Sequence, residues 1–141
     1  MIYTELYKDL FTVDKSYYLA HCIASDFRMG AGIAVQFQRK FSLRNKLIQV
    51  GKENTFPGSC VLIGRILNLI TKSRSSGKPT YETLKSSLLK MRVLCTSFNI
   101  TKIAMPKIGC GLDRLQWGKV KEMLFEIFND MDIEILVCTW K

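Results

Sequence analysis

The order of apolar and polar positions divides the chain into alternating strand-like and helix-like stretches. Ile2-Tyr3-Thr4-Glu5-Leu6-Tyr7 alternates with a period of two and predicts a strand. Tyr17-Tyr18-Leu19-Ala20-His21-Cys22-Ile23 is a short, nearly continuous apolar run, the pattern of a strand buried on both faces. From Gly32 onward Ile33, Phe37 and Phe41 recur every fourth residue, which is helical spacing, and Leu43, Leu47 and Ile48 continue it in a second helical piece. Residues 54–59 contain Pro57-Gly58 and predict a turn, and residues 61–70 are β-rich. A polar, basic loop covers 71–77. A helix follows from about Thr80, with an apolar stripe of Leu84, Leu88, Met91 and Cys95, and Pro79-Thr80 suits its start. Residues 103–108 predict a strand closed by Gly109-Cys110-Gly111. Trp117, Val120, Leu124 and Ile127 mark a last helix, and residues 133–140 a last strand. Strands alternating with helices predict an α/β layered fold with a parallel or mixed sheet.

Size adds that 141 residues suit one domain, with a core that needs no metal or disulfide staple. No apolar run reaches the roughly 20 residues of a membrane span, and the first residues do not read as a secretory signal. The five cysteines, Cys22, Cys60, Cys95, Cys110 and Cys138, are odd in number and contain no C-x-x-C pair. With a single histidine, His21, this speaks against a disulfide framework and against a zinc site, and no cofactor is expected. Reduced thiols suit an intracellular protein, cytoplasmic or nuclear. The net charge is +9, and its distribution is one-sided: residues 38–92 hold 12 basic side chains against two acids, Glu53 and Glu82. Such a segment suggests a polyanionic or phosphate-bearing partner, or else a solvated basic face.

Two glycine-rich turns each follow a predicted strand. The first is Arg28-Met29-Gly30-Ala31-Gly32-Ile33-Ala34, which runs into a helix, and the second is Ile108-Gly109-Cys110-Gly111-Leu112-Asp113. Phosphate needs backbone N–H groups unobstructed by Cβ atoms, and a helix N-terminus adds a favourable dipole. Neither turn matches a dinucleotide or P-loop fingerprint, and tight turns need glycine for their own sake. Lys78 lies between flexible Ser75-Ser76-Gly77 and Pro79, which holds the residue before it extended. An ordinary lysine is only roughly 0.04% neutral at pH 7, and burial or the nearby Lys72 and Arg74 are the means of making an amine nucleophilic. The alternative is an ordinary surface lysine. Asp113 puts an acid into a phosphate-friendly loop, which suggests general acid–base work; the alternative is an N-cap for a helix starting near Leu115. Cys110 as a thiolate with His21 as its base is a rival, but His21 lies in an apolar run and no third residue orients the pair.

Four segments together resemble the macrodomain family: His21-Cys22-Ile23, the 28–34 turn, Lys78-Pro79-Thr80-Tyr81-Glu82, and Ile108-Gly109-Cys110-Gly111-Leu112-Asp113-Arg114-Leu115-Gln116-Trp117. Within it the chain is most similar to the terminal ADP-ribose protein glycohydrolase branch, nearly end to end and in the same order. The resemblance implies a three-layer α/β/α fold with a mixed sheet of about six strands, as one macrodomain over 1–141. It implies a cleft for ADP-ribose contacted by His21, Gly30 and Gly32, with Lys107, Ile108, Gly109, Cys110, Gly111 and Leu112 around the phosphates and distal ribose. Asp9 and Leu10 would form the adenine pocket, with Trp140 near it. Lys78 would attack C1 of the distal ribose and release an acceptor carboxylate, and Asp113 would help resolve the lysyl–ADP-ribose adduct. Three positions depart from the pattern: Lys8 for a Gly, Ala24 for a Ser and Trp140 for a smaller apolar residue.

The implied function is removal of mono-ADP-ribose from Glu and Asp side chains of proteins, with related deacylation of O-acyl-ADP-ribose. The alternatives are an ADP-ribose reader without turnover and a basic nucleic-acid-binding protein. The last lacks an interleaved stacking platform, with only Phe41, Phe56 and Tyr81 in the basic region. Expected partners are ADP-ribose and mono-ADP-ribosylated proteins, with a weak nucleic-acid or poly-ADP-ribose contact through the basic segment, no membrane, and a monomeric state. Basic residues around the cleft would give ligand binding a modest salt dependence.

Overall fold

The computed structural model describes residues 1–140. Six strands form one sheet: β1 (Ile2–Tyr7), β2 (Tyr18–Ala24), β3 (Ser59–Ile63), β4 (Ile66–Lys72), β5 (Lys102–Met105) and β6 (Glu134–Thr139). Their spatial order is β1-β6-β5-β2-β4-β3, with every neighbouring pair parallel except the antiparallel β3 and β4. Four helices complete it: α1 (Ile33–Phe41), α2 (Leu43–Val50), α3 (Tyr81–Ser97) and α4 (Trp117–Phe128).

Two apolar clusters cover the two faces of the sheet. Leu84, Leu88 and Met91 of α3 and Val120 and Leu124 of α4 pack with Ala20, Leu67, Leu69 and Ile103. Phe37 of α1 and Leu43 and Leu47 of α2 pack with Leu19, Ile23, Ile66 and Ile70. The residues of β2 and β4 thus alternate between the two clusters, as the two-residue period of a strand requires. This is the expected three-layer α/β/α arrangement with a mixed sheet.

Two boundaries differ from the sequence pattern. The β-rich stretch 61–70 is a hairpin, with Ile63 paired to Ile66 around Gly64-Arg65, and Gly64 takes a φ of +57°. The apolar residues directly flanking it, Val61-Leu62-Ile63 and Ile66-Leu67, hide a two-residue turn whose signal is one glycine. The strand expected at 103–108 ends at Met105, because Pro106 has no N–H to continue the ladder. The start of α3 follows the prediction: Thr80 Oγ1 accepts from Thr83 N–H at 3.0 Å, and Thr83 Oγ1 accepts from Thr80 N–H at 3.1 Å. That reciprocal pair fixes the chain immediately after Lys78 and Pro79. The parallel strands β2, β4, β5 and β6 all point their C-terminal ends the same way, and a cleft opens there, where ligands sit in open α/β sheets.

Candidate active site

The cleft has a volume of about 750 Å³ and is lined at its floor by strand ends: Ala24 of β2, Lys72 of β4, Pro106 after β5 and Thr139 of β6. Around it stand Asp9, Leu10, Gly30, Gly32, Lys78, Lys107, Ile108, Gly109, Cys110, Gly111, Leu112, Asp113 and Trp140. Both glycine turns therefore face one space. Gly32 (φ +63°) lets the chain turn into α1, and Gly109 (φ +73°) leaves only 3.0 Å between a Cβ and Leu115 Cδ1. Among the described residues, no protein group accepts from the amides of Gly30, Ala31, Gly32, Gly111, Leu112 or Asp113. Unused N–H groups beside the first turn of a nine-residue helix suit an anion.

His21 is a correction. It is fully buried, does not line the cleft, and stacks on Phe37 with ring centroids 3.8 Å apart. Asn68 Nδ2 donates to the carbonyls of Val61 and Ile66, so its Oδ1 is left to accept, and His21 Nε2 donates to it at 2.7 Å. Burial lowers the His21 pKa to about 4, the hydrogen bond to Asn68 working weakly the other way. His21 belongs with the α1 side of the sheet, while Cys110 packs against the α3–α4 side. Burial also pushes the Cys110 thiol up, against a smaller opposing pull from Lys107. The thiolate–imidazole pair considered from sequence is thereby removed: its two members lie on opposite faces, and neither holds the charge that the chemistry needs.

Lys78 and Asp113 are brought together. Lys78 is exposed rather than buried, and its Nζ donates to Leu112 O at 3.1 Å, one residue from Asp113. Asp113 does not cap a helix: α4 begins at Trp117, and Gln116 precedes it without a side-chain cap. Instead Asp113 Oδ1 lies 2.6 Å from Lys72 Nζ, with the two side chains 16% and 14% exposed. This pair was not anticipated from sequence; Lys72 as the last residue of a strand that ends at the cleft is the signal that could have found it.

The loops beside Lys78 are tied together by Asp26. Its carboxylate accepts from Ser75 N–H and Ser75 Oγ, each at 2.7 Å, and from Arg28 N–H at 3.1 Å. Partial burial alone would raise the Asp26 pKa, but these donors outweigh it and hold the carboxyl below its ordinary value. Arg44 of α2 donates to the carbonyls of Phe27 and Arg28, supporting a segment in which Phe27 and Met29 take φ of +55° and +46°. At the other end of the cleft Asp9 Oδ1 accepts from Phe11 N–H at 3.0 Å, Leu10 is buried, and the Trp140 ring lies 5.0 Å from that of Tyr7. Of the 12 basic residues in 38–92, only Lys72 and Lys78 line the cleft. Others act elsewhere, such as Arg65 on the carbonyl of Tyr17 and Arg92 on Asp130. The basic segment is mainly outer surface, not a ring around the site.

A six-stranded mixed sheet with a strand-end cleft and two glycine turns defines the class. The Macro domain family model matches residues 12–124, and the chain belongs to that family. It is 48% identical over 132 residues to the ADP-ribose glycohydrolase OARD1 of Homo sapiens, covering 93% of this chain and 87% of that protein. In fold it resembles the macrodomain of Mycobacterium tuberculosis DarG, with a TM-score of 0.88, 22% identity and 97% of both chains covered. It also resembles Thermosipho africanus DarTG in complex with ADP-ribose, with a TM-score of 0.86 and 18% identity over 99% of this chain and 42% of that one.

Proposed function

We propose that this chain, acting as one macrodomain, is an ADP-ribose glycohydrolase that releases mono-ADP-ribose from Glu and Asp side chains and also deacylates O-acyl-ADP-ribose. The observation that carries the reading is a lysine brought to the backbone beside a carboxylate in one cleft: Lys78 Nζ donates to Leu112 O, Asp113 follows in the chain, and both line the cleft. Beside them lie unused amides for a diphosphate, in a cleft large enough for a nucleotide. Identity of 48% to a relative named ADP-ribose glycohydrolase supports the same reading.

In this reading the Lys78 nitrogen attacks C1 of the distal ribose, and the bond from C1 to the acceptor carboxylate breaks, its electron pair leaving with the carboxylate. Water then attacks C1 while the Asp113 carboxylate takes its proton. The C–N bond breaks, its electron pair returns to the Lys78 nitrogen, and the proton follows. The turns at 30–32 and 109–112 hold the diphosphate, and Asp9, Leu10 and Trp140 the adenine end. The protein works as a monomer on ADP-ribosylated proteins. Its five free cysteines suit a reducing compartment, and among the described residues no helix is long and apolar enough to cross a membrane.

The test is release of free ADP-ribose from a glutamate-linked mono-ADP-ribosylated protein. The wild type should release it, and Lys78→Ala should not while still binding ADP-ribose, because a nucleophile contributes mainly to the transition state. Binding without release by the wild type would make the protein a reader, and full turnover by Lys78→Ala would remove the lysine mechanism.

A further inference from the structure

Two lysines flank Asp113, and the one bonded to it is not the one that reacts. Lys72 closes β4, an interior strand whose residues from Ile66 to Thr71 are all buried. The Lys72–Asp113 contact is short and shielded on both sides, unlike the exposed Lys85–Glu126 pair at 3.5 Å. Exposed pairs contribute little, whereas a shielded pair anchored on a fixed strand end sets where its carboxylate stands. Asp113 Oδ2 accepts no hydrogen bond from any described residue, so it stays open to a proton from water while Oδ1 is held. Lys78 comes to the neighbouring carbonyl of Leu112 from an exposed position.

Resting on the lysine mechanism above, we propose that Lys72 is a positioning residue that occupies Asp113 and so keeps it from pairing with the nucleophile Lys78. A carboxylate beside an amine favours the ammonium form, which has no lone pair to offer carbon. Without Lys72, Asp113 is free to turn to Lys78, whose Nζ already contacts the carbonyl of the preceding residue. The first step then loses its nucleophile. With Lys72 in place, Lys78 is left to attack C1, and Asp113 is kept as the carboxylate that accepts the proton of water in the second step.

The test measures the rate of lysyl–ADP-ribose adduct formation by quenched intact-protein mass, using the glutamate-linked substrate. Lys72→Met should slow adduct formation by about tenfold or more, the effect of moving an amine's proton equilibrium by one pH unit. Lys72→Arg, which keeps the charge, should retain the rate. Lys72→Met combined with Asp113→Asn should form adduct as fast as Asp113→Asn alone, because the capturing carboxylate is gone. A damaged fold would not be repaired in that way. An unchanged rate in Lys72→Met, or a double variant as slow as Lys72→Met, would overturn the proposal. If Lys72→Met does not fold, Lys72→Gln takes its place, and full rate there overturns the proposal equally. Lys78→Ala separates the two levels. Turnover persisting there removes the lysine mechanism itself; loss there beside an unaffected Lys72→Met removes only the role of Lys72.

Discussion

Lys78, Cys110 and His21 are the three residues of this chain with nucleophile or base chemistry most readily imagined, and their surroundings separate them. Lys78 is exposed in the cleft beside Asp113. Cys110 lines the same cleft, but its Sγ is turned to the carbonyl of Ile108 at 3.4 Å and burial raises its pKa. Cys110→Ser should therefore keep full glycohydrolase activity in the ADP-ribose release assay, whereas loss of activity would restore the thiol as a candidate. Lys78→Arg should be as inactive as Lys78→Ala, since a guanidinium stays protonated and cannot attack carbon; turnover by Lys78→Arg would mean that the position supplies only charge. His21 reads as a functional residue in the segment His21-Cys22-Ile23 and turns out to be core. Phe37 stacks over its ring, and the cleft begins only toward the C-terminal end of β2, at Cys22, Ile23 and Ala24.

At the level of elements, the site is a set of loops held in place by strand ends and by one carboxylate. Asp26 joins the 25–32 loop to the 73–77 loop through the two donors of Ser75, and Arg28 N–H braces its own loop. Asp26→Ala should cost about 1 kcal/mol in a denaturation midpoint and raise KM for ADP-ribose release, since both the turn proposed to hold the diphosphate and the approach to Lys78 loosen. Unchanged KM would mean that the loops hold without it. The elements themselves were legible because each long apolar stripe has one period: Ile33, Phe37 and Phe41 could only be a helix face, and Thr80 a cap. The hairpin at Gly64 was not, because a strand buried on both faces has no alternation to mark where it reverses. The glycine turns, Lys78 and Asp113 stood out as residue types out of place in their local setting. The Lys72–Asp113 and Asp26–Ser75 contacts join residues 41 and 49 positions apart, and no local pattern encodes such pairings.

For the whole molecule, charge and acid stability follow from where the ionisable groups lie. With Lys72, Lys78 and Lys107 as the cleft cations among the described residues, and Lys72 committed to Asp113, ADP-ribose affinity should fall only shallowly with salt. Titrations at several salt concentrations check this, and a steep slope with long nucleic acid but none with ADP-ribose would favour the basic surface as the functional face. The single histidine gives a clean pH signature. The fold keeps His21 neutral down to about 4, while the unfolded chain takes up a proton below its ordinary 6.5. Stability from this residue is therefore complete above pH 6.5 and falls as pH drops toward 4, by on the order of 3 kcal/mol in total. Urea midpoints measured from pH 7 to 4.5 should show this slope, and His21→Gln, which keeps a donor for Asn68, should flatten it; an equal slope in the variant would place the acid sensitivity elsewhere. The central claim is that Lys78 carries the reaction through a covalent intermediate that Asp113 resolves. Its most direct test is the intact mass of Asp113→Ala after incubation with a glutamate-linked mono-ADP-ribosylated protein. The account predicts an added ADP-ribosyl mass that maps to Lys78 and is lost in Asp113→Ala combined with Lys78→Ala; an unmodified Asp113→Ala protein that still turns over substrate would contradict it.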